Sequence, residues 1–413
     1  MLELLSSGFI PLWLETAGIV EPPPMQPIQM WELLSLNHPD PGVQKLVNDY
    51  VSSLSAQGLE AQVQGIWLQT ETTFLAHNSG DQPLSGASLT KVATSLAALK
   101  TWGAQHRFVT EILVTGFIDQ GTVQGDLILQ GQGEALFSWP TAIQLGNQLN
   151  QLGIQRITGN LVLDGPFTIN LEGEPHQGGQ LLRQGLNAEL WPMDAQIQYD
   201  KLPPGTPRPQ VQIEGAVTVA SPTQPPYRAI AQHQSPPLYQ VLQQMNLYSS
   251  NEIAEMLAQS LGGATTLVNT AATAADLPAT ELMLTNGSGL GQANRLSPRA
   301  VAGLFQAIQR ELHPHQLTIA DVFPMSGRDL GTLENRQIPR AAVVKTGTLS
   351  TVSALAGVLP TQQHGPVWFT IINRGNDIDG FRQEQDRLLQ ALRQRWGPAA
   401  SESPSVSVKG KSP

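Results

Sequence analysis

The chain has 413 residues, 40% of them apolar and 14% charged, and carries a formal net charge of −10 at neutral pH. That length suits two or three domains with ample chain for a large core. The negative balance, with no basic stripe, excludes a nucleic-acid partner. There is no cysteine, which removes disulfides, thiol nucleophiles and zinc–thiolate sites and suits an oxidising compartment.

Residues 1–39 read as a tail and linker. In MLELLSSGFIPLWLETAGIV the apolar stretch is flanked by Glu3 and Glu15, and no Lys or Arg precedes Lys45. A secretory signal needs a positive start, and a spanning helix needs about 20 mostly apolar residues. A degenerate signal and an amphipathic segment with weak membrane association, both within residues 1–20, therefore stay open. EPPPMQPIQ (21–29) reads as extended, because successive prolines cannot continue a helix.

From PGVQKLVNDYVSSLSAQG (41–58) the apolar spacing is helical, and GIWLQT (65–70) and TFLAHN (73–78) read as paired strands. SGDQPLSGAS is a turn-rich approach to an Ala/Leu-rich helix, closing a first core segment, 40–105. FVTEILVTG, TVQGDLILQGQG, RITGNLVLDG and VQIEGAVTVA then alternate apolar residues between glycine-bounded turns. They predict a β-rich insert over 106–235, with a helix at TAIQLGNQLNQLG (141–153) and Pro-rich stretches at 202–209 and 221–227. A second core segment, 236–396, carries helical patterns at SPPLYQVLQQMN, SSNEIAEMLAQSLGG and SPRAVAGLFQAIQREL. Strands follow at 341–349, 353–360 and 366–373, then a helix at RQEQDRLLQALRQRW (382–396). The tail 397–413 has no apolar periodicity and reads as disordered.

Chemistry concentrates on a scarce residue. Of seven lysines, only Lys91 has a serine, Ser88, three positions before it. Residues i and i+3 of a helix share a face, with Cβ atoms about 5–6 Å apart. A lysine near its ordinary pKa of about 10.4 is no base at neutral pH, but burial or a second cation favours the neutral amine. Such an amine can take the serine proton and make a nucleophile, and a serine in the first helical turn offers an orphan N–H to a developing oxyanion. S-x-x-K alone is common. Weight comes from the order S-x-x-K, then Ser249-Ser250-Asn251 at a helix start, then Lys345-Thr346-Gly347 in a strand, the only lysine followed by Thr-Gly. Ser35-Leu36-Asn37 also matches S-x-N, so that motif by itself decides nothing.

Other groups are weaker. His313 and His315 lack a third ligand at a diagnostic spacing, and Asp377 and Asp379 read as a polar turn rather than a calcium loop. Gly131 and Gly133 read as turn residues, and no phosphate-cradling glycine motif is present.

The ordered trio resembles the active-site set of penicillin-recognising serine enzymes. LTNGSGLGQANRLSPRAV, MSGRDLGTLENR and KTGTLSTVSALAGVL narrow the match to the S13 peptidases, the class C low-molecular-mass penicillin-binding proteins, over roughly 45–395. FVTEILVTGFIDQGTVQGDLILQGQGEALF resembles the start of that family's inserted domain. Asn286 stands where the family usually has aspartate, Ser250 where aspartate is common, and Ser85-Gly86-Ala87 replaces the usual Pro-Ala lead-in. The stretch from Ser88 to Ser249 is shorter than in the larger members, so a further inserted domain is expected to be absent or reduced.

The resemblance implies an α/β (α+β) transpeptidase-like core of the penicillin-binding/β-lactamase type with the β-rich insert, and a D-Ala-D-Ala carboxypeptidase or endopeptidase. Ser88 would be the nucleophile and Lys91 its base. Ser249 would relay a proton to the leaving amine, while Asn251 holds Lys91 and the substrate amide. Lys345 would supply positive charge, lowering the proton affinity of Lys91 and attracting a carboxylate. The backbone N–H groups of Ser88 and Thr348 would form an oxyanion hole, with Gly347 in the strand and the Thr346 and Thr348 hydroxyls on the substrate carboxylate. No metal or cofactor is expected. Peptidoglycan stem peptides would be the substrate, β-lactams inhibitors, and the location extracytoplasmic. A dormant wall-binding protein is the reading from another class. A β-lactamase is disfavoured, since no motif supplies a dedicated deacylating carboxylate.

Overall fold

The structure, a computed structural model, describes residues 39–219 and 227–399. The readings made on 1–38 and 400–413, and most of the Pro-rich stretch at 221–227, lie outside it. Helix α1 (Pro41–Ser55) opens the core: the Asp40 carboxylate accepts the N–H groups of Gly42 and Val43, and Val43, Val47, Tyr50, Val51 and Leu54 form its buried face. Strands β1 (Gly65–Gln69) and β2 (Phe74–Asn78) form an antiparallel pair. A 3₁₀ turn, Ala87–Leu89, then leads into α2 (Thr90–Trp102), whose residues from Thr90 to Leu99 are all buried. A helix apolar or small on every side belongs inside a domain, and α2 runs through the centre of this one.

After the insert the core resumes with α3 (Leu238–Tyr248), α4 (Asn251–Ser260), α5 (Ala264–Ala275) and α6 (Pro298–Leu312). Strands β3 (Val343–Leu349), β4 (Val352–Thr361) and β5 (Gly365–Arg374) and helix α7 (Ile378–Trp396) complete it. The sheet order is β3-β4-β5-β1-β2, antiparallel throughout, with Gly65 opposite Ile372 and Gln69 opposite Trp368. The two ends of the chain thus share one sheet. Alternation of side chains gives it two apolar faces. Trp67, Val343, Ala354, Trp368 and Ile372 pack in the cluster that holds α2 and α6, whereas Ile66, Leu68, Val344, Phe369 and Ile371 pack with α1 and α7.

Between α2 and α3 the chain builds two further sheets, ordered Gln212–Ile213, Arg156–Ile157, Thr122–Gln124, Phe117–Asp119 and Val217–Val219, Leu161–Asp164, Leu127–Gly131, Val109–Val114, Arg228–Gln234. They enclose an apolar cluster of their own, running from Ile112 to Val217. The outgoing and returning strands pair, and Phe108 and Ser235 exchange backbone and hydroxyl hydrogen bonds of 2.9 Å where the chain crosses. The helix expected at 141–153 is Trp139–Gln151. Two more helices, Pro175–Gly185 and Met193–Tyr199, stand where the sequence pattern showed none.

Candidate active site

Ser88 sits in the 3₁₀ turn ahead of α2, half-buried, and Lys91 one turn on is fully buried. Lys91 Nζ lies 3.0 Å from Ser88 Oγ, 2.8 Å from Asn251 Oδ1 and 2.7 Å from the Ser288 carbonyl oxygen. The turn is held in an unusual backbone state. Ala87, just before the serine, has φ +49°, a left-handed conformation that non-glycine residues adopt at a cost of about 1 kcal/mol or more. Gly289 is pressed against the Ala87 carbonyl from outside, so closely that a Cβ there would collide with it.

The second motif enters from the junction of α3 and α4. Ser249 ends α3 in the left-handed region (φ +56°), and Ser250 caps α4 by accepting the Ile253 N–H. The reversal presents Ser249 and Asn251 to the two lysines. Asn251 takes Lys91, while Ser249 Oγ lies 2.9 Å from Lys345 Nζ. Lys345 donates also to the Thr346 carbonyl at 2.9 Å and is fully buried. The strain at Ala87 and Ser249 falls on residues that aim the reacting groups.

Strand β3 is the edge of the core sheet. Its first half is covered, because the Val344 N–H donates outward to the Pro324 carbonyl and Met325 bridges Val343. In an antiparallel strand alternate residues direct both backbone groups to the same edge. The Thr346 and Thr348 N–H groups therefore point outward too, along the part of the edge beside Ser88. Close approach explains Gly347: a Cβ there would stand 2.5 Å from the Gly86 carbonyl oxygen and 3.2 Å from the Ser88 nitrogen. Thr346 is buried and Thr348 exposed, with Arg382 Nη2 of α7 at 3.3 Å from Thr348 Oγ1.

Burial pushes Lys91 down to about 8, against the opposing pull of Glu255 and then Glu252. Burial pushes Lys345 well below the ordinary lysine range, with the charge of Lys91 adding to the effect. Loss of water is the main cause that lowers Lys91, and Lys345 is fully buried with its amino group hydrogen-bonded to Ser249 and Thr346.

The structure brings Ser88, Lys91, Ser249, Asn251, Lys345, Thr346, Gly347 and Thr348 to one locus. Sequence reasoning missed two groups there. The Ser288 carbonyl is a backbone atom, invisible in any motif. Glu255 accepts the N–H groups of Gly287 and Ser288 at 3.2 and 3.0 Å and so holds that carbonyl in place; its position one turn beyond Asn251 on α4 was the available signal. Asn286, where aspartate was expected, accepts the Gly289 N–H at 2.8 Å and donates to the Leu290 carbonyl, so the amide keeps the loop closed. An apolar hollow of about 300 Å³, lined by Leu136, Phe137, Leu171, Tyr248 and Ile253, opens beside Ser250. His313 and His315 form a 3₁₀ turn after α6, and Asp377 caps α7. Among the described residues no group of three His, Cys, Asp or Glu side chains is placed to share a metal ion.

Comparison with known proteins shows the family. The model of the D-Ala-D-Ala carboxypeptidase 3 (S13) family matches residues 47–172 and 208–395. Carboxypeptidase Rv3627c of Mycobacterium tuberculosis is 26% identical over 400 residues, 86% of this chain and 81% of that protein. The D-alanyl-D-alanine carboxypeptidase of an Actinomadura species is 31% identical over 191 residues, 42% of this chain and 35% of its own length. Among solved structures, penicillin binding protein 4 from Haemophilus influenzae aligns with a TM-score of 0.61 at 20% identity, over 84% of this chain and 98% of that one. The penicillin G-acylated Bd3459 predatory endopeptidase from Bdellovibrio bacteriovorus aligns with a TM-score of 0.68 at 20% identity, over 82% and 94%. These last two show a shared fold.

Proposed function

Because the chain belongs to the D-Ala-D-Ala carboxypeptidase 3 (S13) family and is a serine-type DD-peptidase, we propose that Ser88 attacks the carbonyl of the penultimate D-Ala of peptidoglycan stem peptides. The observation that carries this is the set of partners around Lys91 Nζ. Two of the three, Asn251 Oδ1 and the Ser288 carbonyl oxygen, only accept hydrogen bonds. A neutral Lys91 gives them its two N–H groups, and its lone pair is left facing the Ser88 hydroxyl.

The Ser88 proton passes to Lys91 as the Oγ–C bond forms. The oxyanion lies between the N–H groups of Ser88 and Thr348, donors already oriented before the charge develops. The C–N bond then breaks, Ser249, hydrogen-bonded to Lys345, passes its proton to the departing D-Ala nitrogen, and the proton held by Lys91 replaces it, which leaves Lys91 neutral again. Water attacks the acyl-enzyme with Lys91 again as base and releases the shortened peptide. The hollow beside Ser250 suits an apolar part of the stem peptide.

A β-lactam ring is an amide on the same path, but its leaving group stays tethered after opening and blocks the water. The same residues serve endopeptidase action, in which the departing amine belongs to a second stem peptide. Release of D-Ala from a pentapeptide, set beside cleavage of a cross-linked dimer, ranks the two. A folded wild-type chain active on neither would contradict the enzyme reading and leave a wall-binding role.

A peptidoglycan substrate supports a location outside the cytoplasm. Fractionation with a C-terminal epitope tag checks this, and recovery only in the cytosol would refute it. No helix among the described residues is long and apolar enough to cross a membrane.

A further inference from the structure

The reaction above splits off an amino acid bearing a free α-carboxylate, and a site specific for it needs a cation that can reach the ligand. Lys345 does not meet the need, since it is fully buried and its amino group already donates to Ser249 and Thr346. We propose that Arg382, in the second turn of α7, is the specificity-determining residue that receives the substrate's terminal carboxylate, together with the hydroxyl of Thr348.

Three observations support this. Arg382 Nη2 lies 3.3 Å from Thr348 Oγ1, so the guanidinium rests on the free end of the strand edge that ends at the oxyanion donors. Its side chain is 39% exposed and therefore open to a ligand. Its other partner, Asp379 at 3.0 Å, is 83% exposed; such a solvated pair is weak and exchanges readily for an incoming carboxylate.

Geometry also separates Arg382 from the other cation nearby. Arg374, at the end of β5, reaches Gln292 Oε1 at 3.4 Å, and Gln292 holds Thr351 in the β3–β4 turn. Arg374 therefore engages the turn, and Arg382 engages the threonine of the motif strand. A guanidinium fork beside a hydroxyl matches the two oxygens of a carboxylate. It has no counterpart in a carboxamide.

This inference rests on the DD-peptidase reading, and the test separates the two. Full-length wild type, R382Q, R382K and, as a matched control, R374Q are assayed on a diacyl-Lys-D-Ala-D-Ala peptide and on its C-terminal carboxamide, after melting curves establish folding. R382Q should raise KM for the free acid about tenfold with kcat nearly unchanged, a loss in keeping with one partly solvated charge-assisted contact. It should leave carboxamide turnover where wild type has it. R382K should recover part of the loss and R374Q should match wild type. An unchanged free-acid KM in R382Q, or equal losses on both peptides, would overturn the assignment while leaving the enzyme reading intact. Folded wild type inert on both peptides would overturn both.

Discussion

Lys91 Nζ stands 3.0 Å from Ser88 Oγ, and Ser88 is the one of its three hydrogen-bond partners with a proton to give. Everything else at the site serves that relationship. Gly289 and Gly347 wedge the serine turn from two sides, α4 delivers Asn251, and Glu255 fixes the loop whose carbonyl completes the set.

The first prediction concerns pH. With Lys91 at about 8, the base form grows about tenfold per pH unit below that value and saturates above it. Acylation by a fluorescent penicillin should therefore climb from pH 6 and level off above about 8. Lys91→Ala should slow it by roughly 10²–10⁴-fold while the fold persists. A flat profile in wild type, or undiminished labelling in the variant, would remove Lys91 from the chemistry.

Glu255 is expected to act on that same profile. Its carboxylate favours the charged form of Lys91 and anchors the Gly287 and Ser288 amides. Glu255→Gln keeps an acceptor but removes the charge. The midpoint of the acylation profile should then move to lower pH, since nothing offsets the burial of Lys91 as strongly. A shift upward would contradict the sign of this interaction.

Gly347→Ala tests the packing of the strand edge on the nucleophile. The added methyl meets two backbone atoms of the serine turn, neither of which can rotate away. We expect a destabilisation of about 1–3 kcal/mol, the usual range for overpacking, seen as a lower Tm. Penicillin labelling should be lost well out of proportion to that change. Labelling at the wild-type rate would show that the turn and the strand are less tightly joined than described.

The core was legible where the pattern is periodic and local. The strands carrying Lys345, the helix carrying Lys91 and the capped start at Ser250-Asn251 all follow from apolar spacing and turn residues. The pairing of β1 with β5 depends on contacts some 300 residues apart, for which periodicity carries no information. In the insert, the apolar pattern showed no helix over Pro175–Gly185, a segment that carries Gly178 and Gly179. Gly179 answers a packing requirement, since a Cβ there would collide with Val217 of the neighbouring sheet. The same limit hid the site's second tier. Ser288 contributes a backbone oxygen, Glu255 works through two amides, and Arg382 reaches Thr348 from 34 positions away. The burial of Lys345 was hidden for a different reason, because burial is a property of the folded chain.

The most direct test of the central claim is the mass of the intact protein after incubation with benzylpenicillin. If Lys91 presents its lone pair to Ser88, wild type should gain the mass of one penicillin and no more. Ser88→Ala should gain none, and Lys91→Ala only a trace over the same time. A folded wild type that gains no mass, or a Ser88→Ala protein that still does, would contradict the assignment of Ser88 and Lys91 as nucleophile and base.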